Sequence, residues 1–218
     1  MAALIPVPFL VLTVSLLVRA QLRHSQQQVY LFKPLSTLLV ILVALLSFTT
    51  SDVQPSFTLG ITLGLLLSMG GDVALMFKAR RAFLLGLVLF LLAHVVYSIT
   101  FTVPNGFHPQ DTFTAVVLLA MAVPTYLFLL PGLDGMRLPV LFYTLVICFM
   151  VNRAVSTFFG NAFTTTQAWL VAVGAMLFWL SDLLLAINRF RTPFRLEPFG
   201  LYLYYGGQML IALSPSFF

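Results

Sequence analysis

Residues 65–81 read LLLSMGGDVALMFKARR. The stretch is apolar enough to cross a bilayer, yet it holds an aspartate, Asp72, and closes on the basic run Lys78, Arg80 and Arg81. An ionised carboxylate among lipid tails is costly, so an intramembrane aspartate is a candidate functional group. Gly60, Gly64 and Ser68 precede it at four-residue steps. Such a stripe of small residues lets a second helix approach closely and turns Asp72 toward the bundle rather than toward lipid.

The rest of the chain has the same character. With 61% hydrophobic and 8% charged residues and a mean hydropathy of +1.05, it lies outside the range of soluble globular domains. The apolar runs are continuous rather than alternating, which excludes a transmembrane β-barrel. The expected fold is all-α: one polytopic membrane domain, residues 1–218, with spans at 2–18, 34–49, 56–77, 82–101, 112–130, 138–158, 167–187 and 198–214. Short connectors with Pro, Gly, Asn or charge separate them, SDVQPS, PNGFHPQD and PGLDGMR among them. The first apolar run has its arginines, Arg19 and Arg23, after it rather than before it, so it reads as a retained helix and not a cleaved signal.

Basic residues sort by connector. Arg19, Arg23 and Lys33 flank the first; Lys78, Arg80 and Arg81 fill the third, Arg137 the fifth, and Arg189, Arg191 and Arg195 the seventh. The intervening connectors have no Lys or Arg. The positive-inside rule then makes the odd connectors cytoplasmic and puts both termini on the other side. The net charge of +5 is therefore a topology signal rather than a nucleic-acid footprint. The single Cys148 falls in an apolar run, which excludes a disulfide framework and suits core packing.

An internal echo relates spans 3–4 to spans 7–8. GGDVALMFKARRAF resembles LSDLLLAINRFRTPF, matching Asp72 to Asp182 and His94 to Tyr204. Both pairs run in the same direction, as in a parallel repeat about an axis along the membrane normal. Each aspartate lies five residues before the end of its span, about 7–8 Å in by helical rise.

Other polar residues inside the spans are few: His94 and Tyr97 in span 4, Tyr126 in span 5, Tyr143, Asn152 and Arg153 in span 6, Asn188 at the end of span 7, and Tyr204, Tyr205 and Gln208 in span 8. Lys33 opens span 2, where the plain reading is a snorkelling topology charge. A structural ion pair of Arg153 with one of the two aspartates is the plain alternative for that residue, and a hydrogen-bonded core residue the plain reading of His94. His94 lies about 18 Å into span 4 and is expected to shape the far end of a cavity rather than touch the aspartates. Two carboxylates at one depth in a low-dielectric bundle repel each other and resist ionisation together, so one can stay a neutral acid while the other is charged. That arrangement suits general acid–base chemistry.

Several chemistries find no support. G-x-S-x-G is absent, and of three histidines two, His24 and His108, lie in connectors, so neither a serine-lipase elbow nor a three-histidine zinc site is built. Residues 69–72, Met-Gly-Gly-Asp, only graze the G-x-G-D motif of intramembrane aspartyl proteases, and Ser181 precedes Asp182 where those enzymes have tyrosine. No phosphate-cradling glycine loop is present.

In their order and spacing, FKPLSTLL (32–39), GGDVALM (70–76), LLAHVVYSITF (91–101), PTYLFLL (124–130), Arg153, GAMLFWLSDLLLAINRF (174–190) and YYGGQMLIALS (204–214) resemble the YhhN-like lysoplasmalogenase family of small membrane proteins. The resemblance runs from about residue 30 to the C-terminus, and the NRF after span 7 looks like the bacterial branch. Animal members hydrolyse the vinyl-ether bond of lysoplasmalogens to a fatty aldehyde and glycerophospho-ethanolamine or -choline. The resemblance implies Asp72 and Asp182 as the catalytic pair, with Lys33, His94, Tyr97, Tyr126, Arg153, Asn188, Tyr205 and Gln208 lining the pocket. One aspartate would act as acid, and the other as a carboxylate that stabilises an oxocarbenium ion. Arg153, Lys33 and the connector arginines would hold the phosphate, and Tyr97, Tyr205 and Gln208 the glycerol or water. The expected partner is a lysophospholipid in the membrane, with no cofactor, no metal, no nucleic acid and no obligate protein partner. The host would be a bacterial inner membrane, or the endoplasmic reticulum in a eukaryote. The residues alone also suit a proton- or cation-coupled transporter, or a lipid-binding protein without chemistry.

Overall fold

In the computed structural model, every residue is described except Met1, Asp52, Lys78, Phe194, Arg195, Leu196 and the side chain of Glu197. Lys78 and Arg195, two of the basic connector residues, thus lie outside the described residues. Among the rest there are eight α-helices and no strand. They are α1 (Val7–Leu22), α2 (Gln26–Leu46), α3 (Pro55–Leu75), α4 (Arg80–Asn105), α5 (Gln110–Leu129), α6 (Arg137–Ser156), α7 (Thr165–Phe190) and α8 (Gly200–Leu213).

Seven of these, with their short 3₁₀ extensions, are long and apolar enough to cross a membrane. The exception is α8, with 14 residues. By helical rise it covers about 21 Å, less than the ~30 Å hydrocarbon layer. Short 3₁₀ turns, Glu197–Phe199 and Ser214–Phe217, flank it. The outer helix faces carry Leu59, Leu63 and Leu66 on α3 and Phe113, Val116 and Val123 on α5, all exposed. Apolar surface of this extent is a liability in water and a requirement in lipid. The protein is an integral membrane protein.

The helices form a ring. α2 packs on α3, α3 on α4, α4 on α6, α6 on α7 and α7 on α8, and α8 closes back on α2. α1 lies outside α2 and α8, and α5 lies outside α6. The closest pairs, α3 with α4 and α7 with α8, meet through glycines. A Cβ at Gly64 would fall 2.2 Å from the Tyr97 ring, and one at Gly207 would fall 2.6 Å from the Gly174 carbonyl. The small-residue stripe before Asp72 therefore does what its spacing predicts.

Two boundaries shift in ways that matter for the site. α2 begins at Gln26, eight residues before the expected start, and runs through Pro34. The glutamines at 26–28 look like connector, but they continue the helix once neighbours fix it, and Pro34 sits inside the helix rather than starting it. Lys33 is consequently two turns into a helix and 8% exposed, not a snorkelling charge at an edge. α7 continues to Phe190, so Asp182 lies eight residues from its end, about 12 Å by rise and deeper than expected.

Candidate active site

Asp72 is 2% exposed, on the inner face of α3. Its Oδ2 accepts hydrogen bonds from the Thr37 hydroxyl at 2.7 Å and the Tyr204 hydroxyl at 2.8 Å. Its Oδ1 lies 3.3 Å from Lys33 Nζ. Lys33 and Thr37 are four apart on α2, so one face of that helix supplies both partners. The shell continues outward. The Tyr205 hydroxyl donates to the Lys33 carbonyl at 3.0 Å, and the Tyr97 hydroxyl donates to Gln208 Oε1 at 2.9 Å. Gln208 Nε2 reaches the Tyr204 oxygen at 3.5 Å. A buried carboxylate is tolerated only when paired and hydrogen-bonded in this way.

Asp182 has different company. The Tyr143 hydroxyl donates to its Oδ2. His94 Nε2 lies 3.0 Å from the Tyr143 oxygen and 3.6 Å from Asp182 Oδ2. His94 Nδ1 is buried with no hydrogen-bond partner, so the tautomer with its proton on Nε2 orphans no buried N–H. The His94 ring stands edge-on to Phe178, with centroids 4.8 Å apart, and Phe178 packs in turn on Tyr204 at 5.2 Å. The expectation that His94 shapes a far end of the cavity is corrected. Counting rise from an apolar boundary placed Asp182 too shallow, and His94 meets it directly. His94 of α4 meets Asp182 of α7, and Tyr204 of α8 meets Asp72 of α3.

Both aspartates line one polar chamber of about 230 Å³, together with Lys33, Ser181, Asn188 and Arg189. A second, apolar groove of about 80 Å³ lies between α4, α5, α6 and α7, lined by residues such as Leu87, Leu129, Ile147 and Trp179. The two spaces share Leu75, Phe83, Phe90, Asp182, Leu185 and Arg189. Asp182 therefore stands at the junction of a greasy slot and a polar room. A site with this division suits an amphiphile whose reactive bond lies between tail and head.

The remaining expected residues fall in three places. Tyr97, Tyr205, Gln208 and Asn188 belong to the chamber or its shell. Tyr126 lies apart, its hydroxyl donating to the Arg137 carbonyl at 3.1 Å and tying α5 to the start of α6. Arg153 is at the opposite end of α4 from the chamber mouth. It is 0% exposed, and its guanidinium donates to Asp111 Oδ2 at 2.6 Å, Thr102 Oγ1 at 3.0 Å, Ser156 Oγ at 2.9 Å and the Gly106 carbonyl. It also covers the Phe107 ring at 4.3 Å. It is neither in the aspartate pocket nor paired with Asp72 or Asp182. Its ion-pair partner is Asp111, which opens α5 although it reads as connector. Gly106, with φ +72° and ψ −159°, gives the chain a turn that only glycine takes readily and aims its carbonyl at Arg153.

Thr37 and Ser181 complete the site without having been singled out as pocket residues, and Arg189 is, among the described residues, the one of the expected connector arginines that lines it. Tyr143 is noticed in the sequence only as an intramembrane tyrosine. The spacing of Thr37 from Lys33 was a usable signal; nothing local distinguishes Tyr143 from a packing tyrosine.

The family model described as the YhhN family matches residues 28–215. A Bos taurus protein named lysoplasmalogenase TMEM86A is 33% identical over 168 residues, which cover 74% of this chain and 66% of the relative. A Dictyostelium discoideum lysoplasmalogenase homolog is 29% identical over 199 residues, 75% of this chain and 65% of the relative. The Sus scrofa lysoplasmalogenase TMEM86B is 33% identical over 154 residues, 70% and 61% respectively. The chain thus spans just under two thirds of the length of these curated relatives. No solved structure matches it.

Proposed function

The chain belongs to the YhhN family, and on that premise we propose that it is a membrane-embedded hydrolase of the vinyl-ether bond of lysoplasmalogens. The observation that carries the proposal is the position of Asp182, shared by the apolar groove and the polar chamber. In a lysoplasmalogen the vinyl ether is the first link between tail and glycerol. A tail in the groove and a glycerol in the chamber bring that link to Asp182.

Asp182 is the proton donor in this reading. Asp72 is committed to Lys33, Thr37 and Tyr204 and acts as the standing carboxylate. Tyr143 and His94 both address Oδ2 of Asp182, which leaves a proton on Oδ1 for the substrate. That proton goes to the vinyl carbon one bond beyond the ether carbon, and the π pair forms the new C–H bond. The resulting oxocarbenium ion is stabilised by the negative charge of the site. Water adds to the ether carbon and returns a proton to Asp182. The hemiacetal then breaks its C–O bond, giving a fatty aldehyde and the glycerol hydroxyl. The sum is vinyl ether plus water to aldehyde plus alcohol, and the enzyme ends as it began. General acid catalysis of this kind contributes roughly 10²–10⁴-fold. In the same reading α8 and its 3₁₀ flanks complete an eighth pass, and the basic end of the bundle faces the cytoplasm.

The test is aldehyde release by the purified protein in D₂O, with the aldehyde trapped by reduction as it forms. One deuterium at the carbon next to the carbonyl, with turnover independent of any ion gradient, is the expected result. Flux that requires a gradient, without aldehyde, would support a transporter instead.

A further inference from the structure

We infer that Arg189 anchors the phosphate of the lipid and so sets which carbon reaches Asp182; the inference rests on the hydrolase reading above. Two cations line the polar chamber, Lys33 and Arg189. Lys33 is buried and spent on Asp72. Arg189 is exposed at the mouth, and among the described residues no carboxylate lies within ion-pair distance of it. It lines the chamber and the groove alike. Its guanidinium lies over the Phe83 ring, 4.9 Å from the centroid. An aromatic face holds a guanidinium without neutralising it and leaves its edge free for a planar, bidentate contact with phosphate oxygens.

The spacing along α7 matches such a substrate. Asp182 and Arg189 are seven residues apart, two helical turns, and so share a face about 10.5 Å apart along the axis. In a 1-alkenyl glycerophospholipid, seven bonds separate the carbon that receives the proton from phosphorus. Extended, at the ~1.2 Å per bond of an open chain, they span about 8–9 Å. Side chains that lean toward each other close the difference. With the phosphate on Arg189 the vinyl carbon lies beside Asp182, whereas a tail in an apolar slot alone is free to slide. Arg189 is thus a specificity-determining residue for phosphodiester lipids, placed by Phe83 at the site's rim. The buried arginine, Arg153, has no such freedom, since Asp111 neutralises it at the far end of the bundle.

The experiment compares wild type, Arg189→Gln and Arg189→Lys on two substrates of equal chain length: a lysoplasmalogen and the phosphate-free 1-alkenylglycerol. Wild type should prefer the phospholipid in kcat/KM. Arg189→Gln should raise KM for the phospholipid about tenfold with little change in kcat, and so erase most of that preference. Arg189→Lys should retain part of it. If Arg189→Gln changes both substrates alike, or leaves the preference intact, the phosphate anchor is wrong while the hydrolase stands. If wild type releases aldehyde from neither, the hydrolase reading falls and this inference falls with it.

Discussion

Lys33 Nζ stands 3.3 Å from Asp72 Oδ1, and both side chains are buried between α2, α3 and α8. The pair joins α2 to the carboxylate of α3, and Thr37 and Tyr204 both donate to the other carboxylate oxygen.

Removing one member of a buried pair strands the other charge. Lys33→Met should therefore destabilise the protein by about 3–5 kcal/mol. Adding Asp72→Asn to it should recover much of that loss without recovering activity. Thermal unfolding in detergent reads the first effect and aldehyde release the second. A Lys33→Met variant as stable as wild type would show that the pair contributes nothing to folding.

Tyr143→Phe keeps the ring against His94, where the two centroids are 5.4 Å apart, and deletes only the hydroxyl that holds Asp182. The carboxyl loses its orientation while tail and head contacts persist. The expected outcome is a fall in kcat of about tenfold or more, near 1.4 kcal/mol per tenfold, with KM close to wild type and a displaced pH profile. An unchanged kcat would remove Tyr143 from the site.

Arg153→Met tests the opposite claim, that a buried arginine is structural. It leaves the Gly106 carbonyl without the Arg153 donor, and Asp111 without its cation, the His108 N–H still donating to it. Stability should drop by about 3–5 kcal/mol, while the folded fraction hydrolyses at the wild-type rate per molecule. A specific loss of activity in a fully stable variant would return Arg153 to the substrate.

Much of this was legible in the sequence because lipid constrains the chain so strongly. Long apolar runs fix where helices lie, and the glycine stripe at 60, 64 and the serine at 68 orient Asp72 inward. Depth was less legible. Residues that look like connector, Gln26 to Gln28, Asp111 and Arg189, are helical here, so distances counted from apolar edges are short by up to two turns. That error hid the burial of Lys33 and the meeting of His94 with Asp182. The fate of Arg153 turned on Asp111, a residue far away in sequence at the head of another helix. Tyr143 was invisible as a functional group because its role comes from where α6 places it beside α7, which no local pattern encodes.

The most direct test of the acid–carboxylate pair is to purify Asp72→Asn and Asp182→Asn and measure aldehyde release from a lysoplasmalogen. Asparagine keeps shape and removes the proton chemistry. Asp72→Asn strands Lys33 and should be less stable than wild type, so turnover is taken per folded molecule, and each variant should lose roughly 10²-fold or more in kcat. Near wild-type turnover in both would contradict the account.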